Sequence, residues 1–216
     1  MSVLRTPPTG LDETFVDPAT QQLVQLARAE GADFARERIR QGADVDDRGT
    51  DGVTPLLWAL LHRDRELFAA LLDAGADPTV AVDSGMTTVH VAAMIDDPWY
   101  LERLLDTDDV HRTDDARGAT GTRGAFDSDD QSAPRTRSWV DVVNGETGET
   151  PLMAAMRSDR HPQFRALLDA GADPDAAEHD GTTPLHLAGL IKAPSLALEL
   201  LDAGATPIAR DQRGRS

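Results

Sequence analysis

An all-α solenoid of stacked helix-turn-helix units, joined by finger loops, is the fold that this chain of 216 residues predicts. Two observations carry the prediction. The triplets Gly42-Ala43-Asp44, Gly75-Ala76-Asp77, Gly171-Ala172-Asp173 and Gly204-Ala205-Thr206 recur, and the first two copies have the same spacing as the last two. A second mark keeps the same phase: Gly52-Val53-Thr54-Pro55-Leu56, Gly85-Met86-Thr87-Thr88-Val89, Gly148-Glu149-Thr150-Pro151-Leu152 and Gly181-Thr182-Thr183-Pro184-Leu185. The interval from Gly52 to Gly85 returns from Gly148 to Gly181 and from Gly181 to Gly214. Only the step from Gly85 to Gly148 is nearly twice as long, so one unit carries an insertion. A fixed period of about 33 residues marks a repeat architecture, in which no unit buries its apolar face alone and neighbours must stack.

Each unit justifies its own helices. Pro55, Pro151 and Pro184 suit a first helical turn, where a missing N–H costs nothing. Thr54, Thr150 and Thr183 precede them as N-caps. Leu67, Phe68, Leu71 and Leu72 set an apolar stripe on a second helix, matched by Phe164, Leu167 and Leu168. Gly75, Gly171 and Gly204 follow as C-cap glycines. Residues 20–49 read as a degenerate capping repeat. Leu23, Leu26 and Ala27 make its inner helix, Gly31-Ala32-Asp33 its turn and Phe34 to Ile39 its outer helix, with Arg36, Arg38 and Arg40 as solubilising charges. Full repeats span 50–82, 83–146 (with the insertion at about 111–142), 147–179 and 180–212, and 213–216 begin a truncated copy. Residues 1–19 read as a flexible N-terminus. The last outer helix, Leu196 to Leu201, leaves apolar surface open, so either the natural chain continues or something covers that end.

These residues resemble the ankyrin repeat family, whose unit of about 33 residues carries a T-P-L-H-x-A signature and a G-A-D turn. The match covers roughly residues 20–216 apart from the insertion. The resemblance implies that His90 and His186, in the signature slot, hydrogen-bond backbone between repeats. It also implies a non-catalytic scaffold that binds other proteins through its fingers and the exposed face of its inner helices. Two departures stand out. The family's inter-helix glycine is replaced by Arg63, Asp96, Asp159 and Lys192, with Pro98, Pro162 and Pro194 following in three copies. Leu57 and Met153 fill the histidine slot in two copies.

Composition narrows the function. There are 38 acidic against 21 basic residues, for a formal net charge of -17. That surplus argues against nucleic acid and against an anionic membrane surface, both of which call for clustered Lys and Arg. Cysteine is absent, which excludes disulfides, thiolate metal sites and thiol catalysis. No window approaches 18 consecutive apolar residues, and the N-terminus lacks the apolar core of a signal peptide. The cytoplasm is therefore the expected location, or the periplasm if a leader has been removed. No H-E-x-x-H, P-loop or dinucleotide fingerprint occurs, and Asp127-Ser128-Asp129-Asp130 lacks the glycine and glutamate of a calcium loop. No enzyme, cofactor or metal site is expected.

The family's variable surface positions transfer by phase. On the fingers they are Thr50, Asp51 and Val53, then Asp83, Ser84 and Met86, then Glu146, Thr147 and Glu149, then His179, Asp180 and Thr182. On the inner helices they are Leu61, His62, Met94, Ile95, Arg157, Ser158, Leu190 and Ile191. Five of those eight are apolar, which reads either as an exposed interface strip or as inner helices that are simply better buried. Sixteen of the seventeen net negative charges fall on finger and turn segments, 41–54, 73–87, 106–110, 144–149 and 169–182. The expected partner is thus a basic protein, a toxin or effector held by an immunity protein being one version, with the chain itself a monomer. Reversing Asp51, Asp83, Glu149 and Asp180 to Lys is expected to abolish binding without unfolding. The insertion reads either as a tolerated disordered loop or as a clasp anchored by Phe126, Trp139 and its arginines.

Overall fold

In a computed structural model the chain is described over residues 10–106 and 139–207. Eleven helices form there: α1 (Leu11–Thr14), α2 (Pro18–Glu30), α3 (Ala32–Arg40), α4 (Pro55–Leu61), α5 (Arg65–Asp73), α6 (Thr88–Met94), α7 (Trp99–Leu105), α8 (Pro151–Arg157), α9 (His161–Asp169), α10 (Pro184–Leu190) and α11 (Pro194–Asp202). From α2 onward they alternate as inner and outer members of five antiparallel pairs. The inner helices α4, α6, α8 and α10 stack in chain order. The expected all-α ankyrin solenoid is the fold observed.

The local chemistry explains each start and stop. The hydroxyls of Thr54, Thr150 and Thr183 accept from the N–H of Leu57, Met153 and His186, capping helices whose first residue is proline. Each inner helix from α4 onward is seven residues long and almost wholly apolar. In isolation so short a helix is marginal, so packing sustains it. Leu56, Leu57 and Leu60 of α4 and Leu67, Phe68 and Leu71 of α5 are buried, and the later pairs repeat the pattern. No described helix is long and apolar enough to cross a membrane.

Three features differ from the sequence reading. Order begins earlier than residue 20: α1 forms, Phe15 is fully buried, and Gln21 donates to the Phe15 carbonyl. The inter-helix slot adopts the left-handed conformation, with φ near 58° at Arg63 and Asp159 and 57° at Lys192, while Asp96 does not. At that third junction Ile95 is extended instead, and the carbonyls of Met94 and Ile95 accept from Arg160 Nε (2.9 Å) and Gln163 Nε2 (2.6 Å) of the next repeat. Lastly, the finger after the insertion is one residue longer than its siblings. It closes with Asn144 N donating to Glu149 O, where the others close 49 to 53, 82 to 86 and 178 to 182.

The insertion does not disturb the register. His90 is fully buried, accepts from the Thr87 N–H at Nδ1, and donates from Nε2 to the carbonyl of Glu149 at 2.9 Å. That bond crosses 59 positions of sequence and joins neighbouring repeats, the role the signature slot implied. Burial lowers the His90 pKa, consistent with a neutral ring holding one donor and one acceptor. His186 makes the same capping box with Thr183.

Candidate functional site: the groove between the third and fourth fingers

The fingers are tight turns without strands. Glycines at φ 75–82° (Gly52, Gly85, Gly148, Gly181) let each chain reverse, and a Cβ at the first three would meet the next finger. Backbone bonds join the fingers in series: Asp83 N donates to Asp51 O, and His179 N to Thr147 O. Between the second and third, the side chain of Asn144 substitutes, donating to Ser84 O and accepting from Glu146 N.

Against the inner helices these fingers enclose a groove of about 740 Å³. Its wall includes Ser84, Met86, Met94, Glu146, Thr147, Glu149, Arg157, Ser158, His179 and Asp180, ten of the twenty positions expected to face a partner. Arg157 joins two of its carboxylates. Its Nε lies 2.9 Å from Glu149 Oε1 and its Nη2 lies 2.6 Å from Glu178 Oε1. The glutamate side chains are 17% and 13% exposed, the arginine 44%. Burial raises the Glu149 pKa, and Arg157 partly offsets it. Glu178 escaped the sequence reading because equivalent positions hold Gly49, Val82 and Gly145. The signal available was Arg157, a lone base on an otherwise apolar inner helix.

The other expected positions divide. Asp51 and Asp83 stand on the finger edge, Asp51 exposed and Asp83 paired with Arg48 at 2.9 Å. Val53 and Met86 are core residues at 3% and 4% exposure, so neither presents a finger surface as expected. Both point inward because each closes the base of its turn. Glu149 is a second correction, since reversing a largely buried partner of Arg157 would disrupt the fold along with any binding. Asp180 accepts from Thr182 N and so also shapes its finger. His62 stacks on Trp58 at 3.8 Å and lies 2.9 Å from the Trp58 carbonyl, local to its own helix. The apolar strip is not continuous. Leu61, Met94 and Ile95 pack against the core, whereas Leu190 and Ile191 are exposed because no described helix follows their pair. Trp139 is partly buried and packs on the core, and Phe126 lies outside the described residues. Among the described residues no group of acidic or histidine side chains is arranged to hold a metal.

Stacked helix pairs, capped turns and a finger-lined groove define a repeat scaffold, and comparison with known proteins agrees. A family profile described as Ankyrin repeats (3 copies) matches residues 134–211. Protein PhlB of Serratia liquefaciens is 37% identical over 160 residues, covering 74% of this chain and 55% of that protein. Neurogenic locus notch homolog protein 4 of Homo sapiens is 32% identical over 218 residues, covering 91% of this chain and 9% of that protein. The chain thus spans about half the length of one relative and a small part of the other. The crystal structure of the ankyrin repeat domain of Bcl-3 superposes with a TM-score of 0.66 at 22% identity, over 92% of this chain and 75% of that one. The chain belongs to the ankyrin repeat family. Such repeats generally mediate protein–protein interaction as non-catalytic scaffolds.

Proposed function

We propose that the chain is a non-catalytic binding module that grips a basic protein through its acidic fingers and the inner-helix groove. The observation that carries this reading is the groove's composition. Four carboxylates (Glu146, Glu149, Glu178, Asp180) line it against one guanidinium, beside Met94 of α6. A concave wall with an excess of one charge steers an oppositely charged partner and raises its association rate. Not all of the acidic edge is free to act, since Arg48 and Arg157 neutralise part of it. The exposed Asp51 and Glu146 therefore carry the test. Affinity purification from native lysate with the natural chain should retain a basic protein. The Asp51→Asn, Glu146→Lys variant should retain much less of it, with an unchanged melting temperature. Recovery of no protein partner would count against the whole reading.

A narrower version is that the partner is a toxin or effector kept inactive, with this chain as its immunity protein. The same acidic groove, which could cover a basic catalytic surface, supports it. Activity of the captured partner, with and without the chain, decides the matter.

A second reading, a scaffold that assembles through its last repeat, rests on a separate observation. Leu190, Ile191, Leu198 and Leu201 are exposed at 56%, 41%, 63% and 41%. Light scattering across a concentration series separates the two: a monomer throughout would remove self-assembly.

A further inference from the structure

Seven large apolar residues are exposed among the described residues, and four of them stand on the last helix pair: Leu190 and Ile191 at the end of α10, Leu198 and Leu201 on α11. So many on one pair make a patch of the kind that marks an interface. Charge frames it. Lys192, the only lysine of the chain, follows Ile191 and is exposed, and Asp202, the last residue of α11, is exposed as well. Arg165 takes Glu199, the other acid of α11, whereas Lys192 and Asp202 enter no ion pair among the described residues. Helical spacing sets Asp202 one turn beyond Leu198, on the side that Leu198 and Leu201 share. The patch therefore has a base at one end, an acid at the other and leucines between. Laid on itself in the same direction, it would set base on base and acid on acid. Turned end for end, it sets base on acid twice. The opposite end of the stack offers no such match. There α2 exposes Gln22 and Gln25, Arg38 ties Gln22 to α3, and Phe34 is the one large apolar residue exposed on either helix.

We propose, resting on the assembling-scaffold reading above, that a second copy of the chain docks on this face, α11 antiparallel to α11 about a twofold axis. Leu198 lies beside the axis, since it stands near midway between Lys192 and Asp202 in the chain. Leu190, Ile191 and Leu201 close around it, and Lys192 meets the partner's Asp202. Such a contact is isologous and closes at two copies. A standard interface buries about 800 Å² per partner, and four half-open side chains supply less, so the dimer exchanges with monomer at micromolar concentrations. No residue that lines the finger groove belongs to α10 or α11, so both grooves of the dimer stay open to another protein.

Sedimentation of the full chain over a concentration series, from about 1 to about 300 μM, reads the outcome. The mass should rise from one copy to two and stop there. Lys192→Glu and Asp202→Lys, measured singly, should each weaken the dimer about three- to tenfold, since each variant sets like charges together twice. Mixed in equal amounts, the two variants should associate as tightly as the natural chain, because every mixed contact again sets a base on an acid. Leu198→Glu should abolish the dimer and leave the melting temperature of the dilute monomer unchanged, as an exposed position allows. A dimer indifferent to both charge reversals would overturn the antiparallel pairing. Mass growing past two copies, and lost in Phe34→Ser, would overturn it in favour of a head-to-tail chain. In either case assembly through the last repeat still stands. A chain that stays monomeric throughout would overturn the proposal and the scaffold reading together, and loss of a captured lysate protein in Leu198→Glu would then give the face to a different partner.

Discussion

Three side chains stand in a left-handed backbone conformation where the repeat pattern calls for glycine: Arg63, Asp159 and Lys192. Their Cβ atoms crowd the backbone there, at a cost of order 1–3 kcal/mol each. Glycine removes the crowding and gives back less than about 1 kcal/mol through a looser unfolded chain. Arg63→Gly and Lys192→Gly should therefore each stabilise the protein by about 1 kcal/mol, seen as a higher urea midpoint at constant slope. Asp96→Gly should do the opposite, because Asp96 occupies no such conformation. A second residue-scale effect belongs to Asp46. Burial beneath the turn, with Asp77 and Asp44 nearby, pushes its pKa up to about 6 from 3.8, although its Oδ1 accepts from Asp77 N. The folded value exceeds the unfolded one, so this group's stabilisation is complete below 3.8 and lost as pH rises through 6. Asp46→Asn keeps the acceptor and removes the buried charge. It should raise the melting temperature at pH 7.5, less at pH 5, and not at pH 3.5. The glycine slot was legible in the sequence because the period names it. The burial of Asp46 was not, since its neighbour Asp47 looks identical and plays another part, accepting from Thr20.

At the scale of elements, the turns between repeats form a ladder of carboxylates on backbone. Asp46 takes the N–H of Asp77, Asp141 that of Asp173, and Asp175 that of Thr206. Arginines tie the outer helices in parallel: Arg65 chelates Asp97, Arg165 chelates Glu199, and Arg103 reaches Asp73. The junction after α6 is the exception. Lacking the left-handed residue, it leaves two carbonyls that Arg160 and Gln163 satisfy from the next outer helix and the residue before it. Arg160→Ala with Gln163→Ala should cost about 2 kcal/mol, and should broaden or split the denaturation curve, because the lost bonds join the two halves of the solenoid. Helix starts were readable from Thr-Pro pairs, as were the stacking faces from apolar spacing. The cross-repeat caps were not, because they pair residues 66 and 68 positions apart with no local pattern to mark them.

For the molecule as a whole, a stack of repeats has a stability gradient. Interior pairs are covered on both sides and the last described pair on one, which is why Leu198 is 63% exposed. Hydrogen exchange should be slowest in α4, α6 and α8 and fastest in α11, with protection falling stepwise from α8 to α11. Uniform protection would contradict a one-dimensional stack. The groove was half legible at this scale. Phase located Glu146, Arg157, His179 and Asp180 on one wall, yet it also assigned Val53 and Met86 to the finger surface, because a repeat fixes position along the chain better than it fixes which way a side chain turns. One last consequence follows from the bond between His90 and Glu149. Because α6 and α8 stack as direct neighbours, that contact is made by the two repeats themselves. Doubling the connection between them costs only about 0.6 kcal/mol in closure entropy. A reporter or a second binding unit grafted into that connection should therefore leave the helices on either side in register, checked by an unchanged melting temperature.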